Sequence, residues 1–222
     1  FSAGAKVSLD FAPVFVENGG IVIDNSSAWR MDDTIPLVVP EVNKNDIKWN
    51  KGIIANPNCS TIQAVVALKP LHDKSKIKRI VYSTYQAVSG AGVKGYEDLE
   101  NTLKGLPHKN FAHPIANNCL PHIDVFTDSG YTKEELKMVN ETRKILNEPD
   151  LKITATAVRV PVFDCHSESI NVEFYNDYNM DELLDTLKNA PSVILQNDFT
   201  KNEYPLCSTA KGTNEVYIGR IR

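Results

Sequence analysis

Cys59 is the residue of this sequence whose surroundings most favour chemistry. It follows a short apolar run at residues 53–55 and an Asn-Pro-Asn turn, in which Pro57 restricts Asn56 to extended dihedral angles. The apolar spacing beyond it predicts a helix over residues 60–71. Free amides and the positive dipole end at such a junction are expected to lower the pKa of the thiol and to stabilise an oxyanion. Cys59 is therefore a candidate nucleophile; the alternative is a buried structural cysteine.

A cysteine nucleophile needs a base near its own pKa, and histidine is the usual one. His166 follows a predicted strand at residues 153–160, close behind Arg159. An arginine and a histidine at one strand end could combine anion binding with proton transfer, although His166 could also be a structural histidine. Three of the other histidines are expected to face solvent: His72, His108 and His113. The fourth, His122, could be structural.

Three further polar residues lie where they could serve such a nucleophile. Gln86 ends a predicted strand at residues 77–86, where an ordinary strand-end glutamine is the alternative. Thr132 followed by Glu135 is a capping box that predicts a helix to about residue 146. Glu134 and Lys137 are three residues apart on that helix and share a face, so the alternative for them is a solvated ion pair.

The elements that must position these residues change in character along the chain. Parallel-type βα units are predicted first and strand-rich α+β structure follows, with residues 36–49 and 106–124 irregular. The first helix is expected to be capped by Ser8 or Asp10 and to run to about residue 17, with Pro13 in its first turn. Further helices are predicted at residues 93–104 and 179–189, and further strands at residues 21–24, 169–175, 193–195 and 216–222.

Composition excludes several classes of protein. The 222 residues suit one large domain or one domain plus part of another, and 42% hydrophobic with 23% charged residues is typical of a globular protein. The net charge of −4 gives no reason to expect nucleic acid or an anionic membrane as a partner. No apolar run approaches the ~20 residues of a membrane span. Four widely spaced cysteines indicate neither zinc nor a disulfide framework, which fits a reducing cytoplasm.

Five segments in register carry a family resemblance. Residues 25–31, 57–61, 85–92, 134–137 and 158–161 leading to His166 resemble aspartate-β-semialdehyde dehydrogenases along nearly the whole chain. The usual N-terminal dinucleotide loop and C-terminal helix of that family are not among these residues. With no initiator methionine, the sequence is expected to be part of a longer protein.

The resemblance implies a fold and a reaction. Residues 1–57 would be the last part of a doubly wound NADP-binding domain, and residues 58–222 a mixed-sheet catalytic and dimerisation domain of the glyceraldehyde-3-phosphate-dehydrogenase-like type. The enzyme would interconvert aspartyl phosphate and aspartate semialdehyde, with inorganic phosphate, through a cysteine thioester. It would be a cytoplasmic homodimer or homotetramer in the biosynthesis of lysine, threonine, methionine, isoleucine and diaminopimelate.

The resemblance also assigns roles to individual residues. Cys59 would be the nucleophile, His166 the general acid/base and Gln86 the group that positions the carbonyl. Arg159 would bind the substrate carboxylate and Glu134 its ammonium. Phosphate would be held by Arg30, Lys137 and Asn58. The nicotinamide nucleotide would lie against Ser2, Ala3, Gly4, Ser89, Gly90 and Pro114, and no metal is expected.

Two other functions stay open at this point. A sister reductase acting on N-acetyl-glutamyl phosphate uses a similar Cys/His pair, but its acylated amine would give Glu134 nothing to bind. A non-catalytic dimerisation domain is the other alternative, and the isolated chain is expected to be inactive without the dinucleotide loop.

Overall fold

A computed structural model describes all residues, 1–222. The chain begins with helix α1 (Ala5–Glu17), which leads into strand β1 (Val22–Asp24). Helix α2 (Pro40–Asn43) and a 3-10 helix (Lys44–Trp49) follow, before strand β2 (Ile53–Ala55) pairs in parallel with β1. Apolar side chains of α1, β1 and β2 share one core with Val65 and Ile145 from the later helices. The core therefore crosses position 57, the predicted domain boundary.

The main sheet contains three strands in the order β4-β3-β5, where β3 is Ile77–Gln86, β4 is Lys152–Arg159 and β5 is Ser167–Phe174. Strands β3 and β4 are parallel, so that their last residues, Gln86 and Arg159, are direct partners. Strand β5 is antiparallel to β3 and starts at the same end of the sheet. One edge of the sheet thus receives two strand ends and one strand beginning.

Helices cover this sheet and connect it to the first part of the chain. Helix α3 (Cys59–Lys74) and helix α5 (Lys133–Leu146) pack on each other, and Tyr82 and Met138 are fully buried in the core beneath them. The capping box at α5 is present: Thr132 accepts from the Glu135 amide, and Glu135 accepts from the Thr132 amide at 2.7 Å. Helix α4 (Val93–Leu103) packs apart from them over a smaller cluster that contains Val88 and Ile115.

The last residues form a small parallel pair. Strand β6 (Val193–Leu195) follows helix α6 (Met180–Lys188) and pairs with β7 (Val216–Ile218), with the short helix α7 (Cys207–Ala210) between them. No helix is long and apolar enough to cross a membrane.

Several sequence predictions need correction. Helix α1 begins at Ala5, because the Ser8 hydroxyl is engaged with Asp24 and Trp29 and caps nothing. Pro13 consequently lies in the interior of α1. Part of the segment at 36–49 is helical, since Pro40 starts α2 and the Asn43 side chain bonds the backbone of Val39.

The end of the chain and one histidine also differ from expectation. Strand β7 stops at Ile218 because its partner β6 is only three residues long. His72 is half-buried: its Nδ1 accepts from the Ile77 amide, and its Nε2 lies 3.3 Å from Glu148. It therefore fixes the turn between α3 and β3 and is not a solvent-facing side chain.

Candidate active site

The last residues of two strands and the first residue of one helix meet at a polar cavity of about 360 Å³. Gln86 and Arg159 end β3 and β4, His166 directly precedes β5, and Cys59 is the first residue of α3. The cavity is lined by eight of the predicted positions: Arg30, Asn58, Cys59, Gln86, Gly90, Glu134, Lys137 and Arg159. Parallel strand ends that meet a helix N-terminus are where α/β proteins place their ligands.

The turn before Cys59 is held by its neighbour. The Asn58 side-chain oxygen caps α3 by accepting from the amides of Ser60 at 3.0 Å and Thr61 at 3.3 Å. The Asn58 amide nitrogen, Nδ2, donates to Glu134 at 2.9 Å, which ties α3 to α5. Cys59 itself is exposed at the cavity wall. A nucleophile in this position is accessible to a ligand, and the hydrogen bonds of the Asn58 side chain fix the backbone next to it.

The acidity of Cys59 differs from the sequence prediction. Desolvation by the surrounding protein atoms raises the pKa of the Cys59 thiol above its ordinary value, and the negative charge of Glu134 raises it further. The Ser60 amide and the Arg159 charge lower it, but by less. The expected lowering of the thiol pKa by the helix terminus is therefore wrong, because desolvation and then Glu134, 75 positions away in sequence, outweigh it.

His166 is oriented by a backbone amide. The Ala87 N–H donates to Nδ1 of His166 at 3.0 Å. A neutral imidazole that accepts at Nδ1 carries its proton on Nε2, so Nε2–H is the group presented to a ligand. Burial, with help from the Arg159 charge, lowers the pKa of His166 to about 4. The imidazole is consequently neutral at physiological pH.

Ala87 also orients Arg159, which is buried. Its carbonyl oxygen accepts from Nη1 of Arg159 at 2.7 Å, and the guanidinium lies 5.9 Å from the centre of the Phe111 ring. Both side chains lie against Gly90. A methyl group built there would lie 2.9 Å from Arg159 Nη1 and 3.3 Å from His166 Nε2. Arg159 and His166 therefore both lie next to Gly90, although His166 itself is not among the residues that line the cavity.

Helix α5 contributes the opposite charge. Glu134 lies within its first turn and is buried, and its second oxygen lies 3.2 Å from the Lys137 ammonium. Lys137 also pairs with Asp124 at 2.8 Å. Burial opposes its charge, but the bonds and attraction from Asp124 and Glu134 raise the pKa of Lys137 above its ordinary value. The pair seen in the sequence is thus part of a three-membered ionic group at the cavity.

Arg30 reaches the cavity from the first part of the chain. Its guanidinium donates to Glu141 at 3.1 Å and to the carbonyls of Asn56 and Asn25, each at 2.9 Å. Glu141, 1% exposed, accepts in addition from the Asn58 amide at 2.6 Å. One buried carboxylate therefore connects Arg30 with the turn that carries Cys59.

A second residue of α5 fixes the backbone around Arg30. The Lys144 ammonium donates to the carbonyl oxygens of Arg30, Asp32 and Ile35 at 2.7–3.0 Å. Spacings of three and four residues place four side chains on one face of α5, all directed to the cavity or to the Arg30 segment: Glu134, Lys137, Glu141 and Lys144.

The predicted cofactor positions are not all brought together. Gly90 lines the cavity and Ser89 is next to it, but Ser2, Ala3, Gly4 and Pro114 do not. Gly4 has φ +94° and precedes α1, whose N-terminus has no side-chain cap and has open space around Gly4. Such an open helix start can accept a phosphate group. No group of metal-binding side chains is present.

Several residues of this site were not predicted from the sequence. Ser27, Ile123 and Asp124 line the cavity, and Glu141 and Ala87 position others. The seven-residue spacing from Glu134 could have indicated Glu141. Nothing in the sequence could have indicated Ala87, which acts through its backbone.

Comparison with known proteins identifies the family of this chain. Residues 68–222 match the profile described as "Semialdehyde dehydrogenase, dimerisation domain", and residues 1–50 the profile "Semialdehyde dehydrogenase, NAD binding domain". Aspartate-semialdehyde dehydrogenase of Aquifex aeolicus is 57% identical over 231 residues, which cover 100% of this chain and 68% of that protein. The chain belongs to the aspartate-semialdehyde dehydrogenase family.

Solved structures agree with this. Aspartate semialdehyde dehydrogenase II of Vibrio cholerae, in a structure complexed with ASA, has a TM-score of 0.95 and 45% identity, covering 100% of this chain and 68% of that one. The Candida albicans enzyme, solved with NADP, has a TM-score of 0.75 and 27% identity, covering 98% and 66%. The resemblance noted in the sequence is confirmed, as are the fold class and the oxidoreductase class, in amino-acid biosynthesis.

Proposed function

We propose that this chain carries the catalytic site of an NADP-dependent phosphorylating dehydrogenase that interconverts aspartate semialdehyde and aspartyl phosphate. The observation that carries the proposal is the pairing of Arg159 and Glu134 in one cavity with Cys59. A guanidinium and a carboxylate bind the carboxylate and ammonium of an amino acid, and the thiol is the group that attacks its side-chain aldehyde. The domains would divide near residue 57, as the sequence analysis predicted.

The chemistry begins with Cys59. Its thiolate adds to the aldehyde carbon and gives a thiohemiacetal, and loss of hydride from that carbon leaves a thioester. Phosphate oxygen then attacks the thioester carbonyl, which releases aspartyl phosphate and regenerates the thiolate; biosynthesis runs the same steps backwards. A bound ammonium would also neutralise Glu134, and would thereby remove one of the two causes that raise the thiol pKa.

His166 and Gln86 would act on the substrate oxygen. The Nε2–H of His166 donates to the oxygen as negative charge develops there, and the same group takes part in proton exchange as general acid/base. Gln86 is 1% exposed, with its amide hydrogen-bonded to Thr84, so its orientation is fixed for a second contact. Both groups come from the same edge of the sheet as Arg159.

Phosphate would bind in the same cavity. Arg30 and Lys137 would supply two positive charges, and Asn58 a polar side chain. Arg30 and Asn58 are held by the buried carboxylates Glu141 and Glu134. Inorganic phosphate and the phosphate of aspartyl phosphate would use the same position. We also assign the protein to the cytoplasm, as a homodimer or homotetramer built on residues 68–222.

NADP would accept the hydride when bound. Gly90 would let the nicotinamide nucleotide approach its backbone, where a side chain would crowd Arg159 and His166. Ser89 would line the same approach. The open start of α1 at Ser2, Ala3 and Gly4 fits a dinucleotide phosphate, and Pro114 is kept as a contact of the nucleotide.

Assays with two substrates test this proposal. With phosphate and NADP, we expect the intact enzyme that contains this chain to oxidise aspartate semialdehyde and to leave N-acetyl-glutamate semialdehyde unchanged, since the acylated amine cannot pair with Glu134. Faster turnover of the acetylated substrate would favour the sister reductase. Absence of both activities, together with no NADP binding in a fluorescence titration, would favour the non-catalytic dimerisation domain.

Arg159→Lys should separate substrate from phosphate. A lysine ammonium cannot hold the Ala87 carbonyl and a substrate carboxylate in the same fork, so kcat/KM for aspartate semialdehyde should fall about 10- to 100-fold. The KM for phosphate should change by less than about threefold, because Arg30 and Lys137 remain in place. Steady-state kinetics with each substrate varied in turn measures both. An equal loss for phosphate would contradict the assignment of Arg159.

A further inference from the structure

The two cations assigned to phosphate already have carboxylate partners within the protein. Arg30 pairs with Glu141, and Lys137 pairs with Glu134 and Asp124. A phosphate that approaches Lys137 therefore does not meet a free ammonium. One of the existing contacts must give way before phosphate oxygen can take its place.

The three carboxylates differ in how easily they can move. The Glu141 side chain is 1% exposed, and both its oxygens accept hydrogen bonds from fixed groups. Glu134 is nearly as buried and is also held by Asn58. The Asp124 side chain is 32% exposed and lies in the irregular segment between α4 and α5. Moving Asp124 into water is consequently the least costly of the three changes.

We propose that Asp124 is a specificity-determining residue of the anion site: its carboxylate occupies the place at Lys137 that a phosphate oxygen takes during the reaction. This inference rests on the proposed function, in which Lys137 binds phosphate. A dianion outcompetes a single carboxylate for the ammonium, whereas a monoanion such as chloride or acetate gains little over it. Asp124 thus lowers the affinity for all anions and favours those with more than one charge.

The backbone at Asp124 allows a clean test. Its φ is +67°, in the left-handed region that asparagine and aspartate tolerate best, and its Oδ1 accepts from the Val125 amide at 2.8 Å. Asp124→Asn keeps both features and removes the charge together with the oxygen that accepts from Lys137. Asp128→Asn, in the same exposed segment but away from the cavity, is the matched control.

Isothermal calorimetry of the purified chain with inorganic phosphate, at low ionic strength, measures the effect directly and needs no cofactor. We expect Asp124→Asn to bind phosphate about 3- to 10-fold more tightly, Asp128→Asn to match the wild type, and Lys137→Met to bind more weakly. Chloride competition should also become stronger in Asp124→Asn.

These measurements distinguish the role of Asp124 from the phosphate-binding role of Lys137. Unchanged or weaker phosphate binding by Asp124→Asn, while Lys137→Met still loses affinity, would overturn the role of Asp124 alone. Equal binding by Lys137→Met and the wild type would overturn the phosphate assignment of Lys137, and this inference with it.

Discussion

Replacing Cys59 by alanine abolishes phosphate-dependent NADP reduction, a loss of at least about 10⁵-fold, because no other thiol lines the cavity to form the thioester. The cap on α3 is made by the Asn58 side chain and does not involve the sulfur, so the helix should persist. Spectrophotometric assay with aspartate semialdehyde measures the activity. Circular dichroism during heating checks the fold.

Cys119→Ala is the matched control, since that thiol is exposed and outside the cavity. It should keep wild-type activity. The rate of Cys59 alkylation by iodoacetamide should rise about tenfold for each pH unit from roughly pH 6 to pH 8, because a thiol with a raised pKa is mostly protonated there. Turnover by Cys59→Ala would contradict the nucleophile assignment. A rate of alkylation that does not depend on pH would instead contradict the raised pKa of the thiol.

His166→Asn should slow turnover by about 10²- to 10⁴-fold, the usual contribution of a positioned acid/base group. The asparagine oxygen can accept the Ala87 amide in place of Nδ1, whereas nothing replaces Nε2–H. The loss should therefore appear in kcat, with little change in KM for aspartate semialdehyde. Steady-state kinetics of the two proteins gives this comparison.

The pH dependence follows from the lowered pKa of His166. With a pKa of about 4 the imidazole is neutral above roughly pH 5, so its protonation should not limit the wild-type rate between there and pH 8. The ratio of wild-type to variant rates should be constant over that range. His122→Asn, a change at an exposed ring that stacks on Phe126, should leave the rate unaltered. A ratio that varies tenfold across the range would argue against a neutral His166.

Local signals in the sequence predicted much of the framework. Strand β3 has the predicted bounds, and α5 starts at the predicted capping box, since both depend on neighbouring residues only. The turn at 56–58 correctly placed Cys59 where a strand gives way to a helix. The start of α1 was wrong, because the partner of Ser8 is Asp24, on the following strand.

The electrostatics of the site could not be predicted in this way. The effect of Glu134 on Cys59 and the pairing of Arg30 with Glu141 depend on contacts between residues 75 and 111 positions apart. Family resemblance selected eight residues that do line one cavity, while their roles in the reaction stay predictions. Of their partners, Glu141 shares a helix face with Glu134, whereas the contact of Asp124 with Lys137 became apparent only in the structure.

The Glu141 contacts limit how this molecule can move. If the Arg30 segment swung away from α5 as a hinged lid, a guanidinium and a carboxylate would each lose a buried partner, which costs about 3–5 kcal/mol. Lys144 would release three carbonyls in the same motion. Reactants and products should therefore enter and leave the cavity without a hinge motion of the Arg30 segment. The rate of their exchange should not depend on such a motion.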